Sequence, residues 1–437
     1  MKFLKKFFII CLLLLTFGVV GCDMGSDEPK PVDPVDNNKN NKYLVAEEEA
    51  SFNFFWEQQK TNPNLKGCGL IPDRYPTSGL ASIASVGFGL ASFLAGVENK
   101  WITFQEGYDR AVLTLTHVRQ LDRVHGFFYH FYQESLGNVA SGSEVSNIDT
   151  AIFLCGALVA GEYFKGEVET LANEIYAEVE WDWFVNPSTK NFYMSYDAST
   201  NEKKGAWDTY AEQLMMYFLG AGSPTHPITK ETYDAFKRYK GSYKSEQLIN
   251  SWFGSLFTYQ FSHAFIDFRN MVDANGVDWF DNSVQATIAN YNYCVDMSNE
   301  FITFSKTAWG LTACDTPTGY SGLLGALPSG NNSIKFKNDG TVAPCGAIGS
   351  IVFYPEKVLP AVKYYATVLD GQLIGDYGFK DAFNFENGIW IAGSVIGIDK
   401  GITVLMIENY RSELIWKTFM QLDFMDRAIE VLEFKSK

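Results

Sequence analysis

Residues 151–161 form a run of helical length without one charged side chain. A helix apolar on every side has nowhere to sit except inside other protein. The next such run, 167–179, is different: Glu167, Glu169, Asn173, Glu174 and Glu178 mark a wet face. Helix-length runs fall at 44–59, 80–97, 104–121, 148–164, 167–179, 207–219, 230–239, 283–303, 356–369 and 403–425. Loops rich in Gly, Asn, Pro and Trp join them, with short strands expected near 192–196 and 334–337. Inner helices sheathed by amphipathic outer ones describe an all-α fold, an α/α toroid. An α-solenoid would alternate in the same way, but no repeat of fixed period is present. A ring of helices also lets 43–437 act as one domain, beyond the roughly 250–300 residues that one ordinary core supports.

The first residues carry a different message. Lys2, Lys5 and Lys6 precede an apolar run from Phe7 to Val20, which is short for a membrane span and ends in Gly21-Cys22. This resembles a lipoprotein signal peptide, 1–21, with Cys22 as the acylated residue. Residues 22–42 are mostly Asp, Pro, Asn and Lys and are expected to form a disordered tether. The acidic Ser26-Asp27-Glu28 resembles a surface-export signal. The expected location is therefore the outer membrane, held by lipid alone and exposed at the cell surface, or otherwise in the periplasm.

Charge narrows the partners. Fifty-one acidic against 35 basic residues leave a net charge of −16, which disfavours nucleic acid, because phosphate binding needs a basic surface. A neutral substrate fits better than a polyanion. The 35 Phe, 23 Tyr and 10 Trp supply aromatic faces that can stack on sugar rings, although most must serve the core. Beyond Cys11 and Cys22, five cysteines remain, an odd number without Cys-x-x-Cys spacing, so no zinc site is expected.

Carboxylates within apolar segments are the candidates for chemistry, because burial raises a carboxyl pKa toward the range a general acid needs. In 207–219, Asp208 and Glu212 are four apart, flanked by Trp207 and Tyr210 and followed by a wholly apolar run. Helix-start placement explains Asp208 but not Glu212. Glu144 precedes Ser146, whose spacing to Asp149 predicts a capping box at the charge-free helix. His263 and Asp267 share a helical face, whereas Asp267 and Arg269 do not, which argues against a local ion pair. Around His130 lies an aromatic stretch, 125–131. Trp309, Asp315, the glycine-bracketed Asp399 and the apolar-helix acid Glu408 complete the set.

Taken in order, these segments resemble glycoside hydrolase family 144 within the glycoamylase-like superfamily. The matching pieces are 126–131, Ser143-Glu144 through Asp149-Thr150-Ala151, Tyr210-Ala211-Glu212, 262–269, 309–315, 377–384 and 406–411, spanning about Asp73 to Met420. The resemblance implies an (α/α)6 toroid and inverting hydrolysis of β-1,2-glucan, endo or exo with release of a disaccharide, without metal or cofactor; a monomer is expected. It implies Glu212 as the acid, with Glu144, Asp149 and Asp399 also essential and Asp399 taken as the base. His130, Trp207, Tyr210, His263, Asp267, Arg269, Trp309, Asp315 and Glu408 are expected to contact the sugar. One departure stands out: where the family pattern is Asp-Gln-Gly-Pro, this chain has Asp399-Lys400-Gly401-Ile402. A lysine there is expected to depress the pKa of Asp399.

Two other functions use the same toroid. A non-catalytic glycan-binding lipoprotein predicts replaced acids, yet all four are present. A polysaccharide lyase needs basic residues to neutralise uronic acids, and the net charge runs the other way.

Overall fold

The computed structural model describes residues 39–244, 246–331 and 338–437, so the expected signal peptide, Cys22 and the expected strand at 334–337 lie outside the described residues. Helices follow one another in outer–inner pairs: α1 (Lys42–Gln58) and α2 (Ile83–Glu98), α3 (Phe104–Val118) and α4 (Asn147–Phe164), α5 (Gly166–Ala177) and α6 (Leu214–Ala221). Then come α7 (Lys230–Asp234) and α8 (Phe261–Phe265), α9 (Trp279–Asp296) and α10 (Pro344–Ile348), α11 (Pro355–Thr367) and α12 (Gly397–Arg411). Two further helices, α13 (Leu414–Phe419) and α14 (Asp423–Leu432), follow the last pair. The described residues form an (α/α)6 toroid.

The ring is set by neighbour packing. Among the inner helices α2 lies against α4 and α12, α4 against α6, α6 against α8, and α10 against α12, with the turn Leu256–Tyr259 joining α8 to α10. Where α2 crosses α4, backbone meets backbone. A Cβ on Gly156 would stand 1.8 Å from the Gly87 carbonyl oxygen, so no other residue fits there. Aromatics fill the centre: Phe88 of α2 packs on Phe261 and Phe265 of α8 at 5.5 and 6.0 Å.

Differences from the sequence reading have local causes. The run 207–219 is helical only from Leu214. Gln213, fully buried, takes the Ala211 N–H on its Oε1 (2.6 Å) and donates to the Thr209 carbonyl (2.7 Å), satisfying groups that a helix would otherwise pair. The run 403–425 breaks at Glu413, whose φ of 64° is left-handed. The short inner helices α8 and α10 have no amphipathic signature to announce them. Small two-stranded sheets decorate the loops, and Ser195–Asp197 is the middle strand of a three-stranded one.

Candidate active site

Three of the four candidate acids sit at the same end of the inner ring. Asp149 lies in the first turn of α4, Glu212 two residues before α6, and Asp399 in the first turn of α12. Helix N-termini carry partial positive charge and unpaired N–H groups, so this end of the barrel tolerates carboxylates.

Glu212 is held by its backbone. Its carbonyl accepts from Ser262 Oγ (2.6 Å), and the same hydroxyl accepts the Met215 N–H (3.0 Å), tying the end of the loop to α8. The residue keeps some contact with solvent while its carboxyl is largely desolvated. Burial, with the nearby charge of Asp149 adding to it, pushes the Glu212 pKa up to about 7.

Beside it is a histidine clamped by two acids. His130 Nδ1 donates to Glu144 Oε1 at 2.9 Å, and Nε2 stands 3.6 Å from Asp149 Oδ1. Burial opposes its charge, but Asp149 and Glu144 outweigh burial and raise its pKa to about 9, so it is cationic at neutral pH. The same contact, as the largest effect, holds Glu144 below its ordinary value. Ser146 caps α4 by accepting the Asp149 N–H (3.2 Å) and donates to Asp149 Oδ2 (2.5 Å). This corrects the expected capping box: the acid answers the serine hydroxyl instead of the backbone, which leaves Oδ1 for His130. Next to Glu144 opens a cleft of about 500 Å³ lined by Tyr129, Ser143, Ser195, Asp197 and Lys204.

The other side is built around a carboxyl pair. Asp399 and Asp381 are both buried and both pushed above the ordinary carboxylate range, chiefly by burial, and the hydrogen bond between them raises Asp381 and lowers Asp399, so Asp381 is the donor. Two ionised carboxylates cannot be in contact, so the pair holds one proton. Asp381 Oδ1 is buried with no hydrogen-bond partner among the described residues, which makes it the place for that proton. The Asp315 N–H donates to Asp381 Oδ2 (2.6 Å), and Asp315 itself takes Arg74 Nη1 (3.2 and 3.3 Å) and Ser394 Oγ (2.6 Å). Arg74 also pairs with Asp73 (3.3 Å), whose charge is felt by Asp399 on one side and whose surroundings include His130 and Asp149 on the other. Glu212, Asp149, His130, Asp73, Asp381 and Asp399 are thus one continuous electrostatic cluster.

Lys400 acts on Asp399 in the expected direction, but from a distance. Its ammonium pairs with Glu47 at 2.7 Å, and although it lowers the Asp399 pKa, burial outweighs it.

Several expected sugar contacts are corrected by burial. Trp207 is buried and donates to Asn147 (3.1 Å), and Tyr210 is sealed between Tyr259 and Trp279. Trp309 is wholly enclosed. His263 lies among Phe268, Phe280 and Phe353, bonded to Ser283 (2.9 Å), and burial drives its pKa down to about 3, so it is a neutral core residue. Asp267 and Arg269 do form an ion pair (2.7 Å), because α8 stops at Phe265 and a turn brings them together. Arg269 also binds Glu413 and covers Trp416, outside the cluster. Glu408 is buried near the other end of α12, with Asn99, Ser412 and Glu48.

Four residues of the cluster were not named as site residues from the sequence, although Asp73 and the segment 377–384 marked the resemblance. Asp73 and Asp381 lie in loops and Arg74 in a two-residue strand, all without periodicity. Tyr320 pairs across a hairpin with Asp315, sharing its face, so its half-exposed ring borders the carboxyl pair. Among the described residues, no three His, Cys, Asp or Glu side chains gather into a metal-holding group, and all five cysteines are buried and free.

Comparison with known proteins fits this geometry. The model of the glycoamylase family, described as putative glucoamylase, matches residues 204–423. A curated exo β-1,2-glucooligosaccharide sophorohydrolase (non-reducing end) of Parabacteroides distasonis is 24% identical over 429 residues, covering 88% of this chain. This chain spans 57% of that relative's length. The crystal structure of a putative glucoamylase from Bacteroides uniformis superposes with a TM-score of 0.81 at 26% identity, over 91% of this chain and 98% of that one. An endo-β-1,2-glucanase from Chitinophaga pinensis, solved with sophorotriose and glucose, gives 0.81 at 24% identity over 91% and 99%.

Proposed function

Because this chain belongs to the glycoamylase family, we propose that it is an inverting glycoside hydrolase that cleaves β-1,2-glucan. The names of the Parabacteroides and Chitinophaga relatives support that substrate. The observation that carries the reading is the pairing of two unlike acids at one end of the barrel. Glu212 holds a proton up to about pH 7, and the Asp381–Asp399 pair holds one proton between two carboxyls. Inverting hydrolysis needs one carboxylic acid and one carboxylate.

In the proposed reaction Glu212 gives its proton to the glycosidic oxygen as the C1–O bond breaks. Asp399 takes a proton from a water whose oxygen forms the new bond to C1 from the opposite face. A β-linkage then yields the α-anomer. Protonated His130 keeps the charge of Asp149 and Glu144 from holding Glu212 protonated too tightly, since each unit of uncompensated negative charge raises its pKa further.

Glu212→Gln should cut kcat by at least about 10³-fold while β-1,2-glucooligosaccharides still bind, and NMR of the wild-type reaction should show the α-anomer first. Retained turnover would remove Glu212 from the acid role. A β-anomer would exclude inversion, and binding without any turnover by the wild type would favour a glycan-binding protein.

We propose further that Cys22 anchors the protein in the outer membrane. Cys22→Ala should move it from the membrane to the soluble fraction. Continued membrane fractionation of that variant would end the proposal.

A further inference from the structure

Behind the carboxyl pair, on the side of α1, lies a small cavity lined by Glu47, Cys345, Asp381, Asp399 and Lys400. Lys400 and Glu47 form an ion pair there with side chains only 5% and 3% exposed. Glu47 is fixed on every side. Its Oε2 accepts the Phe379 N–H (2.7 Å), its Oε1 accepts Lys400 Nζ and Ser51 Oγ (3.2 Å), and Gly378 passes so close that a Cβ would lie 2.3 Å from Oε2. Burying an ion pair this completely costs desolvation free energy, so it calls for an explanation beyond stability. It also stands at the point where the chain departs from the Asp-Gln-Gly-Pro pattern.

We propose that Lys400 is a positioning residue for the reaction, with Glu47 holding its ammonium next to Asp399 but out of contact with it. At that station the positive charge favours the ionised form of the carboxyl pair without neutralising the base. A direct Lys400–Asp399 ion pair would instead occupy the oxygen that must take a proton from water, and none forms among the described residues. The other groups facing Asp399 are Asp381, Cys345 on α10, Asp73 ahead of α2, Tyr320 from the hairpin, and Glu47 across the cavity. Arg74, the other cation of the cluster, is engaged by Asp73 and Asp315, whereas the charge of Lys400 acts on Asp399 itself. Burial leaves Asp399 above the ordinary carboxylate range; hydrogen bonds from Asp381 and Cys345 oppose it first, and the charge of Lys400 adds to them in keeping a base available near neutrality.

The inference rests on Asp399 being the base, and the test separates the two. The acid limb of the kcat/KM–pH profile reports the base, which must lose its proton to act. Lys400→Gln should move that limb to higher pH by about half to one unit, since a favourable charge is lost, while KM changes little. Glu47→Gln frees the ammonium from its partner and should move the limb to lower pH, with a fall in kcat. Lys400→Arg, which keeps the charge, should restore the wild-type limb. Opposite shifts are beyond what a purely structural pair would produce. If both glutamine variants lose stability but leave the limb in place, the inference is overturned. Should Lys400→Gln not fold, the direction of the Glu47→Gln shift decides alone. Asp399→Asn supplies the separate check. Its inactivity with unmoved limbs in the other variants would refute only the role of Lys400, whereas its retained activity would refute the base itself.

Discussion

At the scale of single residues, the site works by giving similar carboxyls different surroundings. Glu212 is desolvated and near the charge of Asp149, whereas Glu144 is bonded to a cationic histidine, and their pKa values part in opposite directions. The kcat/KM–pH profile should therefore be bell-shaped, falling below about 6 as Asp399 takes up its proton and above about 7 as Glu212 loses its own. The same shift acts on stability. Glu212 is raised from 4.5 in the unfolded chain, so its contribution is whole below pH 4.5 and is lost as pH rises through about 7. Glu212→Gln should accordingly stabilise the fold at pH 8, by about 1–3 kcal/mol, and leave it unchanged near pH 4. Urea unfolding at the two pH values reads this directly, and equal effects at both would mean that the carboxyl is not desolvated in solution. A dry acid was legible as a motif at Glu212 because apolar residues follow it. Asp381 was not, because its dryness comes from Asp315, Cys345 and Asp399, all distant along the chain.

At the scale of elements, the acids depend on how inner helices begin. The helical period read from 207–219 began about two turns too early, since periodicity counts apolar positions and says nothing of Gln213 replacing helical hydrogen bonds with its own amide. The consequence is functional: as part of a loop, Glu212 is oriented by its attachment to α8 rather than by helix geometry. Ser262 is that attachment. Ser262→Ala would strand the Glu212 carbonyl and the Met215 N–H, at a cost of about 2 kcal/mol, and should lower kcat about tenfold with KM little altered. A change confined to KM would place the serine's importance in sugar binding instead. The outer–inner alternation was readable throughout the long helices because one charge-free face against one wet face is a local signal. The short α8 and α10 were silent, since five residues make barely one turn and the ring imposes their helicity.

For the whole molecule, the toroid separates two kinds of buried acid that look alike in one dimension. Glu408 and Glu212 both lie in apolar surroundings, yet they stand at opposite ends of inner helices. Near the far end, Glu48 and Glu408 meet each other with Arg411 between α12 and α1, and Asn99 closes the group from α2. Burial, then the neighbouring Glu408, pushes Glu48 up, and Arg411 opposes them. This cluster joins three helices where the ring closes on its first pair, so its work is mechanical. Arg411→Met would leave two dry carboxyls without their cation and should cost about 3–5 kcal/mol at pH 7. The loss should shrink at lower pH as Glu48 takes up its proton, because the penalty falls on its charged form. Both limbs of the kcat/KM–pH profile should stay where they are, since among the described residues the partners of Arg411 lie outside the catalytic cluster. A moved limb would mean that the two ends of the barrel are coupled through α12, whose first turn carries Asp399 and whose last carries Arg411.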